Sequence, residues 1–340
     1  MTLSPQPHDD DPVALWNHGA MEDIGTLNQS PLHVLDLGTS NAERSIPVSY
    51  PRVVVGIVDG PVLGTAPRGV DIALCTEPTD QAGWVYVQDL NDALATLEHQ
   101  AAASPIAILT LAQLMRMRPH LDFEAALTAE SFAYATLQSG SVFTTWLKQR
   151  PAPKARVHDG DAVVVVRNDD CVTITLNRPA IHNAMSVELR DGLCEALSAC
   201  VLDNTISSIV VKGEGKSFSS GGFLDEFGTL PDPATGHLVR MTRSNARLMH
   251  QLTPRLRVEL HGAAMGAGIE LGCLGQRVTA AADTVIALPE VALGLVPGAG
   301  GTASLPMRIG PQRCCWLGIS GSTIDAPQAL AWGLIDEVHP

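Results

Sequence analysis

The alternation of apolar and polar positions divides the chain into four stretches. Residues 1–50 begin polar and rich in Pro and Asp, without a sustained period, and read as a mobile arm and lead-in. The β-branched run RVVVGIVDG after Pro51 predicts a buried strand, and VDIALC predicts another beyond a Gly- and Pro-rich turn. Residues 51–86 thus read as a short α/β remnant. From Val87, apolar residues recur at helical spacing (Leu90, Leu94, Leu97), and Ser104-Pro105 interrupts them. The run IAILTLAQLMRM resumes a helix, and Asp122 is placed to cap a third, so residues 87–150 read as all helix. The prolines of PAPKARVHDGD then mark a boundary.

Residues 160–340 change period repeatedly. AVVVVRN, CVTITLNRP, SSIVVKGEG, RLRVELHG, VTAAA and TVIALP read as strands. MSVELRDGLCEALSACV, VRMTRSNARLMHQLTP, GAGIELGCL and GGTASLPMRI read as helices. This alternation predicts an α/β fold with a largely parallel sheet and sites where strands give way to helices. At such transitions Glu270, in MGAGIEL, and Glu290, in ALPEVAL, stand among apolar and small neighbours. A carboxylate there is costly unless paired, hydrogen-bonded or protonated. Either acid alone fits a solvated surface; the two together are candidates for proton transfer.

Composition narrows the functional classes. The 340 residues are 45% hydrophobic and 17% charged, enough core for one large domain or two ordinary ones. A formal net charge of -14 leaves no basic stripe for nucleic acid or an anionic membrane. The N-terminal residues lack a basic and then apolar leader, and no apolar run reaches about 18 residues, so a cytoplasmic protein is expected. The seven cysteines form no C-x-x-C pair and no metal-ligand spacing with His, which suggests neither a disulfide framework nor a metal site. Cys314 and Cys315 fall in a predicted helix (residues 311–319) that points them apart, as packing residues.

Five texts then carry a resemblance: NRPAIHNAMS, GKSFSSGGFLDEF, HGAAMGAGIELG, LPEVALGLVPGAGGT and ALAWGLIDEVHP. In order and spacing they resemble the successive signatures of the crotonase (enoyl-CoA hydratase/isomerase) superfamily, across residues 160–340. The resemblance implies a crotonase-like ββα spiral core and an acyl-CoA thioester substrate in acyl-CoA (fatty acid) metabolism. It implies no metal and no redox cofactor, coenzyme A entering as part of the substrate, and assembly as a homotrimer or dimer of trimers. It places an oxyanion hole on the backbone N–H groups of Ser220 and Ala267, and water activation on Glu270 and Glu290. Contacts to CoA and substrate are implied for Arg178, Asn183, Ala184, Lys216, Ser219, Gly221, Gly222 and Phe223. Phe223 stands where the family often carries Asp, which suits an apolar acyl chain or packing alone.

The implied reaction is hydration of a trans-2-enoyl-CoA to a 3-hydroxyacyl-CoA, or its reverse. The same scaffold supports double-bond isomerisation, other CoA-ester chemistry, or a non-catalytic CoA-binding subunit. Family members carry covering helices after the core, whereas here a segment of similar texture, residues 87–150, precedes it. The expectation is a rearranged order in which these helices cover the core and bury Leu94, Leu97, Leu111, Phe132 and Trp146. Arg240, Arg243 and Arg247 fall near one face of a later helix, as a solvated basic face or as partners for a CoA phosphate or an acyl carboxylate. His237, His250 and His261 show no partner pattern and read as structural.

Overall fold

The computed structural model describes residues 30–38, 46–152 and 160–340, so most of the expected N-terminal arm lies outside the described residues. Strands β1 (Leu32–Asp36), β2 (Val53–Val58), β3 (Ile72–Cys75) and β4 (Trp84–Tyr86) pair in that order, all parallel. Val53, Val54 and Val55 are all buried, as a parallel strand covered on both faces requires. One expectation changes. PLHVLDLG, in the lead-in, supplies β1 to the sheet, and residues 51–86 hold strands without the helix of an α/β unit.

Four helices follow: α1 (Leu90–Ala103), α2 (Pro105–Met117), α3 (Phe123–Gln138) and α4 (Ser141–Gln149). Asp89 caps α1 by accepting the N–H groups of Asn91 and Asp92, and Asp122 caps α3 by accepting that of Ala125. Pro105 opens α2, where its missing N–H leaves no bond unmade. Leu97, Ile108, Leu111 and Phe143 join one core with Leu295, Cys314 and Leu317 from the C-terminal half. Leu94 and Trp146 pack half-buried against it.

Phe132 does not. It is 57% exposed and stacks on His237 at 4.4 Å. Positions 127, 130 and 134 share the inward face of α3 at helical spacing, and a residue two places from 130 points away from it. Between α2 and the first sheet, Arg116 forms a buried ion pair with Asp71 at 2.5 Å and donates to the carbonyls of Tyr50 and Arg52. Removing one member of such a pair costs about 3–5 kcal/mol.

The C-terminal half is built on a second sheet. β5 (Val163–Asn168) and β6 (Cys171–Leu176) form an antiparallel pair, followed by α5 (Val187–Leu202) and β7 (Ser208–Gly213). Then come α6 (Pro233–Thr242), α7 (Asn245–Leu252), β8 (Leu256–Leu260), β9 (Ala263–Met265) and α8 (Ala267–Gly272). After them run β10 (Arg277–Ala281), β11 (Val285–Ala287), α9 (Gly301–Ser304) and α10 (Pro306–Ser320). The chain closes with β12 (Ile324–Asp325), α11 (Ala326–Trp332) and β13 (Glu337–His339).

The six-stranded sheet has the order β13-β10-β8-β7-β6-β5, and a smaller sheet the order β12-β11-β9. The architecture is α/β, with a layered core and helices packed over it. The stretch expected as one helix from Val239 to Pro254 is two, because the Ser244 hydroxyl accepts the Arg247 N–H and starts α7 afresh. Helix α10 kinks at Gly310 (φ +78), the residue before Pro311. All seven cysteines are free, and all but Cys171 are buried.

Candidate active site

The site forms where β9 gives way to α8. Gly266 makes the turn at φ +46, and a Cβ there would lie 2.3 Å from Glu290 Oε1, so only glycine lets that carboxylate approach. Ala267 then opens α8, where first-turn N–H groups have no partner within the helix. Glu270 is 2% exposed, and its Oε2 accepts the N–H groups of Ala299 (2.7 Å) and Gly301 (2.8 Å). A side chain at Gly301 would collide with it, since a Cβ would meet Glu270 Cγ at 2.6 Å. Glu290 heads a single 3-10 turn, and its Oε2 is buried without a hydrogen-bond partner among the described residues.

A third acid joins them that sequence reasoning missed. Glu130, on α3, accepts from Gly300 N (2.7 Å) and from the N and Oγ1 of Thr302 (2.8 and 2.7 Å). The turn at residues 299–302 therefore offers alternate N–H groups to two carboxylates from distant parts of the chain. The signal was present in LTAESFAY: a lone acid shares the inward helical face with Leu127 and Tyr134.

Burial sets the electrostatics. It raises the pKa of Glu290 to about 7, with the charge of Glu130 adding to the effect. It raises that of Glu130 to about 7 as well, against the bonds from Thr302 and Gly300 and the nearby Arg240. Glu270 is pushed well above the carboxylate range by burial and then by the charges of Glu290 and Glu130, despite its two backbone donors. Three such acids share fewer than three charges near neutral pH.

They border a cavity of about 430 Å³ between the helical segment and the core. Leu127, Phe143, Leu147, Met185 and Phe227 supply apolar wall, and Tyr134, Arg240, Gly222 and Ala267 also face it. Burial raises the Tyr134 phenol above its ordinary range.

The expected backbone donors need correction. Ser220 does not line the cavity, and its N–H already donates to His182 O at 2.9 Å. Its neighbour two residues on is placed differently. Met185 N donates to Gly221 O and Phe223 N to Met185 O, so Gly222, between them, turns its own N–H to the other side. Among the described residues neither Gly222 N–H nor Ala267 N–H has a hydrogen-bond partner, and both residues line the cavity.

Several expected CoA contacts are engaged within the fold. Arg178 is 2% exposed, pairs with Glu188 and donates to the carbonyls of Gly160, Asp161 and Asn177. Asn183 is fully buried, accepting from Arg178 N and donating to Glu214 O and Ser217 O. Ser219 donates to Asn183 O and accepts from Gly221 N, and Ala184 is buried. These side chains shape the loop rather than reach a ligand. Lys212 and Lys216 are exposed beside it. Phe223 does not line the cavity, and Phe227 does. Of the three arginines, Arg240 and Arg243 face the cavity, while Arg247 pairs with Glu124 at 2.7 Å.

The model of the family described as enoyl-CoA hydratase/isomerase matches residues 167–340. The chain is 36% identical over 180 residues to the 2,3-dehydroadipyl-CoA hydratase of Escherichia coli, covering 52% of this chain and 69% of that protein. It is 32% identical over 178 residues to a probable enoyl-CoA hydratase of Bacillus subtilis, covering 52% and 68%. A solved enoyl-CoA hydratase from Thermoplasma volcanium, 31% identical, superposes with a TM-score of 0.48 over 53% of this chain and 72% of that one.

Proposed function

The chain belongs to the enoyl-CoA hydratase/isomerase family, and on that premise we propose that it hydrates a trans-2-enoyl-CoA to the 3-hydroxyacyl-CoA, and catalyses the reverse dehydration. Crotonase-type chemistry on a CoA thioester is the ground common to the family. Hydration in particular is supported by the unpartnered Oε2 of Glu290, facing the same cavity as a Glu270 anchored on two backbone donors.

A water between the two carboxyls gives a proton to one of them as its oxygen bonds to Cβ. The π electrons of the Cα–Cβ bond move onto the thioester oxygen. The resulting enolate is stabilised by the N–H groups of Gly222 and Ala267, at a helix start and away from bulk water. Return of the electrons to Cα is completed by a proton from the other carboxyl. The two raised pKa values favour a resting pair that holds one proton between them, which both transfers require.

The helices of residues 87–150 act here as the cover of the site. Glu130, Tyr134, Phe143 and Leu147, all from that segment, line the cavity with the core residues, which supports a rearranged order of core and cover. The deciding experiment is an assay of the purified protein against trans-2-enoyl-CoAs of increasing chain length, followed at the enoyl chromophore. Loss of the chromophore with formation of the 3-hydroxy product is expected. A shifted double bond with no water added would make the enzyme an isomerase instead.

A further inference from the structure

The cavity contains a cation that the hydration step does not use. Arg240 reaches into it from α6, stacked over Tyr134 with the guanidinium carbon 4.5 Å from the ring centroid. Its Nε donates to Ser131 Oγ (3.1 Å), its Nη2 to Ser131 O (3.2 Å), and its Nη1 to Gln138 Oε1 (3.4 Å). Every one of these acceptors is neutral, and among the described residues no carboxylate lies within ion-pair distance of Arg240. A guanidinium has five N–H donors, so these three bonds fix the fork in place and leave donors over.

Such a group is costly to desolvate without a counter-charge, and burial indeed works against its ionised form. The charge of Glu130 favours the cation in part, but its two oxygens are bound to the turn at Gly300 and Thr302 and form no ion pair with Arg240, so the fork itself lacks an acid. Arg243, one helical turn further on, lines the same cavity and likewise has no acid partner among the described residues.

We propose that Arg240, held by Ser131, Gln138 and Tyr134, binds a carboxylate on the acyl group, so that the preferred substrates are CoA thioesters of dicarboxylic acids. This rests on the reading of the cavity as the acyl site. A planar carboxylate matches the guanidinium fork, and a cavity of about 430 Å³ that also holds the catalytic acids encloses an acyl chain rather than the nucleotide of CoA. The net charge of -14 disfavours an added negative charge at long range, so any preference for one must be local.

The test is equilibrium binding of saturated thioesters by calorimetry, which needs no turnover. Glutaryl-, adipyl- and suberyl-CoA are compared with pentanoyl-, hexanoyl- and octanoyl-CoA, on the wild type, Arg240→Gln and Arg240→Lys. The wild type is expected to favour the carboxylated member of at least one pair by about tenfold, Arg240→Gln to abolish that preference, and Arg240→Lys to keep part of it. The proposal is overturned if the uncarboxylated member binds as well at all three lengths. It is equally overturned if Arg240→Gln weakens both members in the same proportion, as a residue serving CoA phosphates or only the fold would. Should Arg240→Gln fail to fold, the wild-type preference still decides. A preference without enoyl hydration would refute the hydratase assignment and leave the subsite standing.

Discussion

Glu130 and Glu270 hold the same turn from opposite sides of the sequence: Glu270 takes the N–H groups of Ala299 and Gly301, and Glu130 those of Gly300 and Thr302. The charge of Glu130 raises the proton affinity of Glu270, and the two acids are held on one turn because four backbone dipoles are shared between them. The arrangement fixes the position of Glu270 and links its charge to the helical segment.

Glu270→Gln and Glu290→Gln are each expected to lower kcat by about a hundredfold or more, with acyl-CoA binding nearly unchanged, because the amide cannot transfer the proton. Steady-state kinetics beside calorimetric Kd values separate the two effects. A variant retaining wild-type turnover would remove that acid from the mechanism.

Ala267→Pro deletes one backbone donor at the first position of α8, where helices accept proline, so folding is expected to survive while activity falls below detection. Ala267→Gly keeps the N–H and should retain activity. Circular dichroism of both variants checks the fold, and an active proline variant would exclude this N–H from the site.

Glu130→Gln should act on the pH profile. The charge of Glu130 raises the pKa of both Glu270 and Glu290, so its removal is expected to move the acidic limb of kcat/KM to lower pH, with kcat reduced about tenfold by a loosened turn. A profile identical to the wild type would confine Glu130 to a structural role.

For stability, Glu290 binds its proton more tightly in the folded state, with a pKa near 7, than at its ordinary 4.5. Its contribution is fully present below pH 4.5, is lost as pH rises through 7, and stays absent above. Glu290→Gln should therefore raise Tm relative to the wild type at pH 8 and do so much less at pH 5. Melting curves showing a difference independent of pH would contradict the raised pKa.

Leu111→Ala tests the contact between cover and core. Leu111 is fully buried and packs so closely on Gly318 that a Cβ there would meet its Cδ2 at 2.5 Å. A loss of about 2–5 kcal/mol is expected from urea titration, and less than 1 kcal/mol would mean that the helices barely hold on.

Much of the site could be read from the sequence where side chains and glycines carry it. Glu270 and Glu290 stood out as acids among apolar and small neighbours, and both border one cavity, each with a glycine, Gly301 and Gly266, packed against its carboxyl. What could not be read depends on direction or distance. Which N–H is left without a partner follows from the bridge between Met185 and Gly222 and from the bond of Ser220 N to His182 O, backbone properties that favour Gly222 over Ser220. Arg178 looked available because its partners Glu188 and the carbonyls of residues 160, 161 and 177 are assembled only by folding. Glu130 lies far upstream of its turn, in a segment read for its apolar positions and helix boundaries.

The bond from Glu130 to the turn is made within one polypeptide, as is that from Arg118 Nε to Ala303 O. A contact between tethered partners is governed by effective concentration, which does not change when the solution is diluted. The turn that holds Glu270 should therefore stay complete at nanomolar enzyme.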